Sequence, residues 1–541
     1  MNQDKLFVIA IGGTGMRCLE SFVHLCSIGM FDNKEINILT LDTDQANGNL
    51  KRVWDLIDLY NRIKNPTGLE ADAGGKPGSK TFFSAKLNLF KFWPSYSGGA
   101  TYQKLSRIAV QDDNTKDSID LASLFLDEPA QVFDLAHGYR AQTHLGSQLM
   151  YLAIMEAAKN YKTGNGVKQQ ERELMSFIEN LVRAKADARV FIFGSIFGGT
   201  GASSIPVIPT AFKDAYKIVN DLPIEAKFGA SLLTEYFTFK SPTDAQKKDK
   251  KNAVIADANF FTLNSQAALQ FYQNDPTVQS TYKCLYNIGW PVGDVADFSK
   301  DTKETETITG GAAQKNPCHV TELLCAFAAY DFFSRDKFEE EKAEYLFRTV
   351  HYENNTFHFD FADFVAETKQ FKNNLAGMYA IALLTLTYHK GADNEEGISG
   401  WIVRMQQMNH MDYKDQIDEN SKRDLTNYFK SFLFNKTKEG YIENGWLYQL
   451  KNSFNGKFLL PTNAFAGDWK VINNINPGEL LEDDNSRWGK KKDNASCSTK
   501  FVEEFINQKS EIKLDQQVPT GVPKEKLIAQ LYNTITKLQA V

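Results

Sequence analysis

The sequence predicts an α/β protein: a Rossmann-like domain with a parallel sheet, a central helix, then a second α+β domain and a helix-rich C-terminal region. Three observations point there. The run 6–11 (LFVIAI) is continuously apolar, as a strand buried on both faces is, and 36–41 (INILTL) reads as a second buried strand. The first runs straight into a glycine turn, Gly12-Gly13-Thr14-Gly15, followed by a helical repeat of Leu19, Phe22, Val23 and Cys26. A third apolar run, 190–194, leads into a second small-residue turn, Gly198-Gly199-Thr200-Gly201, that opens another helical segment.

Each element follows in order. The second strand ends at Asp42-Thr43-Asp44, so the first two strands both deliver polar groups at their C-terminal ends, the edge where open α/β sheets bind ligands. Residues 95–120 look like a polar insertion, within a longer one at about 79–135. The loop 74–81 (GGKPGSKT) nearly spells a P-loop, but Ser79 replaces the required glycine and no buried strand precedes it. Gly138 to Gly146, with Arg140, opens a helix carrying Leu145, Leu149, Leu152 and Met155 at three-to-four spacing. Beyond the second turn come a helix (207–215), a strand (228–233), a helix near 260–272 and a short strand (283–286) ending at Asn287. Asn316 as N-cap and Pro317 at the first helical position predict the start of the central helix. An aromatic segment, His358 to Phe364, precedes a long apolar helix ending near 387. The chain from about 390 is mixed and mostly helical, without legible chemistry.

Composition narrows the function classes. The 541 residues suffice for two to four domains. A net charge of −6 with both signs interspersed is no footprint for nucleic acid. No run reaches the ~18 apolar residues of a membrane span, and residues 6–11 are too short for a signal peptide. Six cysteines without C-x-x-C or zinc spacing read as reduced, mostly buried thiols of a cytoplasmic protein. Backbone N–H groups in the two glycine turns suit phosphate oxygens, and two such turns suggest one phosphate chain held from two sides.

The order of phosphate turn, strand ending in Thr-Asp, second phosphate turn, long helix and Asp-Phe-Ala-Asp resembles the tubulin/FtsZ superfamily, closer to bacterial FtsZ and its divergent bacterial relatives than to eukaryotic tubulin. In the family's G-G-G-T-G-x-G loop, Gly198, Gly199, Thr200 and Gly201 match, while Phe197 and Ser203 replace the outer glycines. Gly12, Gly13 and Gly15, with Thr14 between them, match the first loop. Asp42-Thr43-Asp44-Gln45 matches Asn-Thr-Asp-x-Gln, and Asp360-Phe361-Ala362-Asp363 matches the loop that reaches into the neighbouring subunit. His358 stands for an asparagine of that loop.

The resemblance implies a nucleotide-binding GTPase domain at 1–315, a central helix and connection at 316–350, and a second domain at 351–541 bearing the acidic loop and a helical extension. It implies GTP/GDP with Mg2+ held through the phosphates, on Gly12, Gly13, Thr14, Gly15, Asp42, Asp44, Arg140, Gly198, Gly199, Thr200, Gly201 and Asn287. Asp360 and Asp363 of the next subunit would be catalytic in a head-to-tail filament. The family's base-contacting asparagine has no counterpart near Arg17, and Cys318 and His319 stand where an aromatic would stack on guanine. Two alternatives stay open. One is a nucleotide-gated, non-polymerising scaffold of the same fold, recruiting a protein partner through the insertion or the C-terminal region. The other is a Rossmann NAD-dependent oxidoreductase holding a ribose on Asp42. An acyl-transfer enzyme lacks its G-x-S-x-G elbow.

Overall fold

The computed structural model describes residues 5–31, 34–64, 81–94, 101–102, 124, 126, 128–132, 135, 138–139, 141–164, 166–244, 256–291, 295–297, 311–312, 314–339, 342–353, 356–358, 368–387, 418–433, 435–437, 440–442, 445–453, 504, 507 and 523–539. It is an α/β protein centred on a seven-stranded, wholly parallel sheet. The strands are β1 (Lys5–Ile11), β2 (Glu35–Leu41), β3 (Lys86–Phe92), β4 (Ala188–Ser195), β5 (Lys227–Leu233), β7 (Tyr282–Ile288) and β9 (Glu344–Arg348). Two-residue strands β6 (Phe237–Thr238) and β8 (Ala296–Asp297) pair with each other beside it.

The sheet order is β3-β2-β1-β4-β5-β7-β9. The direction of travel reverses between β1 and β4, which makes that junction the topological switch point where doubly wound sheets open a crevice. Continuous apolar strands divide their side chains between two cores. Leu6, Val8 and Ala10 of β1 face one, with Ile36, Ile38, Phe191 and Phe193. Phe7, Ile9 and Ile11 face the other, with Leu39, Val190, Ile192 and Leu232. Helices α1 (Gly12–Ser27), α2 (Gly48–Ile63) and α7 (Val320–Ser334) cover the first face. Helices α3 (Thr143–Thr163), α4 (Gln169–Ala184) and α5 (Ile208–Asn220) cover the second. Helix α6 (Phe261–Asn274) packs beyond β7 through Tyr272.

The central helix α7 is largely apolar and is buried from Val320 to Phe333 except at Asp331. It starts later than Asn316-Pro317 suggests. His319 is the N-cap, accepting from the Thr321 N–H, and Glu322 closes the capping box by accepting the His319 N–H at 3.0 Å. Asn316 instead pairs with Asn49: each side-chain oxygen accepts from the other residue at 3.1 Å. Leu152, placed on the apolar stripe of α3 by its spacing, is 57% exposed. Strand β3 lies within the 79–135 stretch and forms one edge of the main sheet.

Helices α8 (Thr368–Thr387), α9 (Glu419–Phe432), α10 (Trp446–Ser453) and α11 (Pro523–Gln539) share the core of α1 and α2. The Trp446 indole donates to Ser21 Oγ at 3.0 Å, and the His24 ring lies 4.6 Å from it, stacked. Tyr428 Oη meets His24 Nδ1 at 3.0 Å, and burial pushes the His24 imidazole down to about 3, so it stays neutral. Five cysteines are buried and free. Among the described residues, no helix is long and apolar enough to cross a membrane, and no group of three or more His, Cys, Asp or Glu could hold a metal ion.

Candidate functional site: a cleft at the sheet switch point

Chain topology sends β1 and β4 to the same place. The first glycine turn leaves β1 and the second leaves β4, and the two meet across the switch point. A Cβ added to Gly12 would lie 3.3 Å from the Thr200 Cβ. Gly12 has φ +65°, a conformation that favours glycine. Gly15 and Gly201 are packing glycines. Their added Cβ atoms would fall 2.6 Å from the Phe193 carbonyl oxygen and 2.5 Å from that of Ser195, so only a bare backbone lets each turn sit against its strand.

The turns form the floor of an open cleft with a cavity volume of about 150 Å³. Gly12, Gly13, Thr14, Ser195, Gly198, Gly199, Thr200 and Gly201 line it. The first turn of α1 offers N–H groups that have no partner inside the helix, and the helix dipole adds positive potential there. A third loop closes the floor: Gly138, Tyr139 and Ala141 line the cleft, with the Gly138 Cβ position 3.6 Å from Thr43 Oγ1 and 3.7 Å from Thr200 Oγ1. Ala141 is held at φ +67°, a strain of about 1–3 kcal/mol beside the site.

One wall is acidic. Asp42 and Asp44, at the end of β2, both line the cleft and are buried. Asp42 Oδ1 accepts the Asp44 N–H at 3.1 Å, while Oδ2 is buried with no hydrogen-bond partner. Burial pushes the Asp42 carboxyl up from 3.8 to about 7, opposed by the N–H groups of Asp44 and Thr43 and reinforced by the Asp44 carboxylate. Asp44 accepts from Ala46 N–H at 3.1 Å and from Gly311 N–H at 2.6 Å. Residues 311 and 314–316 are thereby tied to the start of α2. Asn47 donates to Gln314 Oε1 at 2.8 Å, and Arg52 donates to the Asn316 carbonyl at 2.8 Å. Asn47 and Gln314 complete this wall. The opposite wall is phenylalanine: Phe197, Phe237, Phe239 and Phe261.

Behind the first turn, between α1 and α7, the space is filled. Arg17 pairs with Glu322 at 2.7 Å and donates to Tyr236 Oη, which donates to Glu322 Oε1 at 2.6 Å. Burial pushes the Glu322 carboxyl up, while Arg17, the Tyr236 hydroxyl and the His319 N–H pull it back. His319 packs against Tyr236 and Trp290, with ring centroids 4.9 and 4.7 Å apart, and burial takes its imidazole down to about 3.

Of the residues singled out in the sequence, the cleft gathers Gly12, Gly13, Thr14, Asp42, Asp44 and Gly198 to Gly201. Gly15 supports the first turn from behind. Asn287 sits in β7 with a buried, unpartnered Oδ1 and is not among the cleft-lining residues. Arg140, Asp360 and Asp363 lie outside the described residues. The third loop was singled out through Arg140 alone, whereas the Asn47–Gln314 pair and the phenylalanine wall were not singled out; the alternation Phe237-Thr238-Phe239 was the available signal for the last.

The Asp42 shift has a consequence for stability. The folded carboxyl titrates near 7 and the unfolded one near 3.8, so the folded state binds the extra proton between these values. Its contribution is full below about 3.8 and is lost as pH rises through about 7. The unfolding temperature of ligand-free Asp42→Asn protein, relative to the native protein, should therefore climb from pH 5 to about pH 7 and level off above. A difference independent of pH would show that Asp42 titrates normally.

No protein-family model matches this chain, and no curated protein sequence matches it. Among solved structures it is similar to the Clostridium botulinum phage c-st TubZ (C-terminal tail truncated protein), at 10% identity over 69% of this chain and 76% of that one, with a TM-score of 0.22.

Proposed function

We propose that this chain binds a nucleoside triphosphate across the two glycine turns, assembles head to tail, and hydrolyses the nucleotide at the junction between subunits. The carrying observation is the convergence of both turns on one cleft at the switch point, where Gly12 and Thr200 come within contact distance. A phosphate chain laid there meets N–H groups from two sides. GTP, with magnesium entering through the phosphates, comes from the resemblance to the tubulin/FtsZ superfamily. Magnesium would supply charge neutralisation and a Lewis acid at the terminal phosphate. The chain's own groups bind and orient: the turns hold the phosphates, and Asp42 with its unpartnered Oδ2 faces a ribose hydroxyl or a phosphate-bound water.

The same resemblance carries the shared active site. Asp360 and Asp363 of one subunit would reach the terminal phosphate held by the next, where a carboxylate can orient or deprotonate the attacking water. A charge-free surface supports self-association. Helix α6, whose first residue Phe261 lines the cleft, has no charged side chain, and Phe260, Leu263 and Phe271 are about half exposed beside it. Interface cores are depleted of charge and rich in aromatics in this way. Two measurements test the reading. Mass spectrometry of the purified protein should find GTP or GDP, and GTPase activity per subunit should rise with protein concentration above a threshold. A self-contained site would give a flat specific activity.

A dinucleotide reading keeps one favourable observation: Asp42 stands at the end of β2, where Rossmann enzymes place the acid that holds a ribose. Bound NAD in the same mass spectrum would select it.

A further inference from the structure

The phenylalanine wall exceeds what packing needs. Phe197, Phe237 and Phe261 are nearly fully buried in the core on the α1 and α7 face of the sheet, with centroids 4.7 Å (Phe197–Phe261) and 5.5 Å (Phe197–Phe237) apart. Phe239 is different. It is only partly buried, lies on this cluster 5.4 Å from Phe261 and 6.3 Å from Phe237, and lines the cleft. It follows β5, whereas Asp42 and Asp44 follow β2, and the turns after β1 and β4 lie between them in the sheet order, so a ligand whose phosphates rest on the turns would extend toward Phe239 at one end.

The competing location is closed. The space between α1 and α7 holds the Arg17–Glu322 pair, Tyr236, His319 and Trp290, all but inaccessible. Cys318 and His319, at the start of the central helix, are each 2% exposed and absent from the cleft lining. The Arg17 guanidinium is already committed to Glu322 and Tyr236, and it lies 5.0 Å from the Phe237 ring on the buried side of the wall. Tyr139 also lines the cleft but is fully buried, so among the described residues the aromatic surface that the cleft presents to a planar group is the one ending in Phe239.

We infer that the base of the bound nucleotide stacks on Phe239, backed by Phe261 and Phe237, and is recognised by its ring face instead of its hydrogen-bonding edge. The ligand class is then nucleoside triphosphates in general, guanine and adenine alike. This rests on the triphosphate-binding reading above. Stacking on an aromatic side chain tolerates any base, because every base has a π-face. A pocket built to hydrogen-bond one base would instead reject the other by about 10⁴-fold or more.

Calorimetric titration of the full chain with GTP, ATP and inorganic tripolyphosphate, each with magnesium, tests the assignment. The expected result is GTP and ATP affinities within about tenfold of each other, both tighter than tripolyphosphate. Phe239→Ala should weaken both nucleotides by about 5- to 100-fold and leave tripolyphosphate unchanged. Phe239→Trp should keep the nucleotide affinity, and its fluorescence should be quenched by GTP and ATP but not by tripolyphosphate. Equal loss for tripolyphosphate, unchanged nucleotide binding by Phe239→Ala, or ATP weaker than GTP by a thousandfold would each overturn the stacking assignment while leaving the phosphate site standing. If none of the three ligands binds the native chain, the phosphate-site reading falls, and this assignment with it.

Discussion

Replacing Glu322 by alanine should weaken the packing of α1 against α7 by about 3–5 kcal/mol, the cost of leaving one member of a buried ion pair alone. Arg17 and Glu322 are 2% and 0% exposed, so no water reaches the guanidinium once its partner is gone. Two further bonds go with the carboxylate: the Tyr236 hydroxyl loses its acceptor, and the His319 N–H loses its place in the capping box of α7. Hydrogen exchange of the α1 and α7 amides reads the loss locally, which suits a chain too large for a single two-state transition. The triple variant Arg17→Met, Tyr236→Phe, Glu322→Leu removes the network as a unit and should recover most of the protection, since apolar replacement of a buried pair is often neutral or better. Unchanged protection in Glu322→Ala would mean that the pair is solvated in solution. Protection that stays low in the triple variant would assign the loss to packing.

The parts of this fold that were legible in the sequence are those whose pattern is fixed by burial. Strands β1, β2, β4, β5 and β7 lie inside the sheet and read as apolar runs because both faces are covered. The edge strands were not read. β3 carries Lys86, Asn88 and Lys91 on a half-exposed run, and β9 has only five residues, with Phe347 exposed. The alternation of Lys86 and Asn88 with Leu87 and Leu89 is itself the pattern of a half-buried strand, hidden by its place in a stretch expected to be an insertion, and β9 is too short to show a period. The start of α7 shows local chemistry overruled by distant partners. Asn316-Pro317 is a sound helix opening, but Asn49 and Arg52 hold Asn316 against the start of α2, and His319 with Glu322 caps the helix three residues on.

The candidate site divides in the same way. Its floor was legible because glycine turns after strands have a local signature and the sheet order brings their ends together. Asp42 and Asp44 were legible for the same reason. The phenylalanine wall was not, because it forms only when the segment after β5 folds back over the turn after β4 and meets α6, three pieces separated in sequence. Arg17 shows the limit of reading by position. It follows the first turn, where a ligand contact was looked for, yet its side chain points into the core and serves α7.

Gly199→Asp and Asp363→Ala should each lower GTP hydrolysis by about 10²–10⁴-fold, for different reasons, and a mixture of the two proteins should recover part of it. Gly199 is the suitable position on the floor. Its backbone lies at φ −80°, ψ −63°, which any residue adopts, and it lines the cleft, so an aspartate there leaves the fold intact and sets a carboxylate against bound phosphate. Gly12, at φ +65°, and Gly201, with backbone 2.5 Å from an added Cβ, would confuse binding with misfolding. Gly199→Asp should therefore lose nucleotide in calorimetry while keeping its unfolding temperature. Asp363→Ala should bind GTP as the native protein does, because in the shared-site mechanism its carboxylate serves the neighbour's nucleotide. In a mixture, junctions form in which an Asp363→Ala subunit supplies the nucleotide and a Gly199→Asp subunit supplies the acid, and those junctions contain a complete set of groups. Activity should appear on mixing and depend on the product of the two concentrations at low occupancy. Two inactive proteins that crosslink to each other yet stay inactive together would rule out a site divided between subunits.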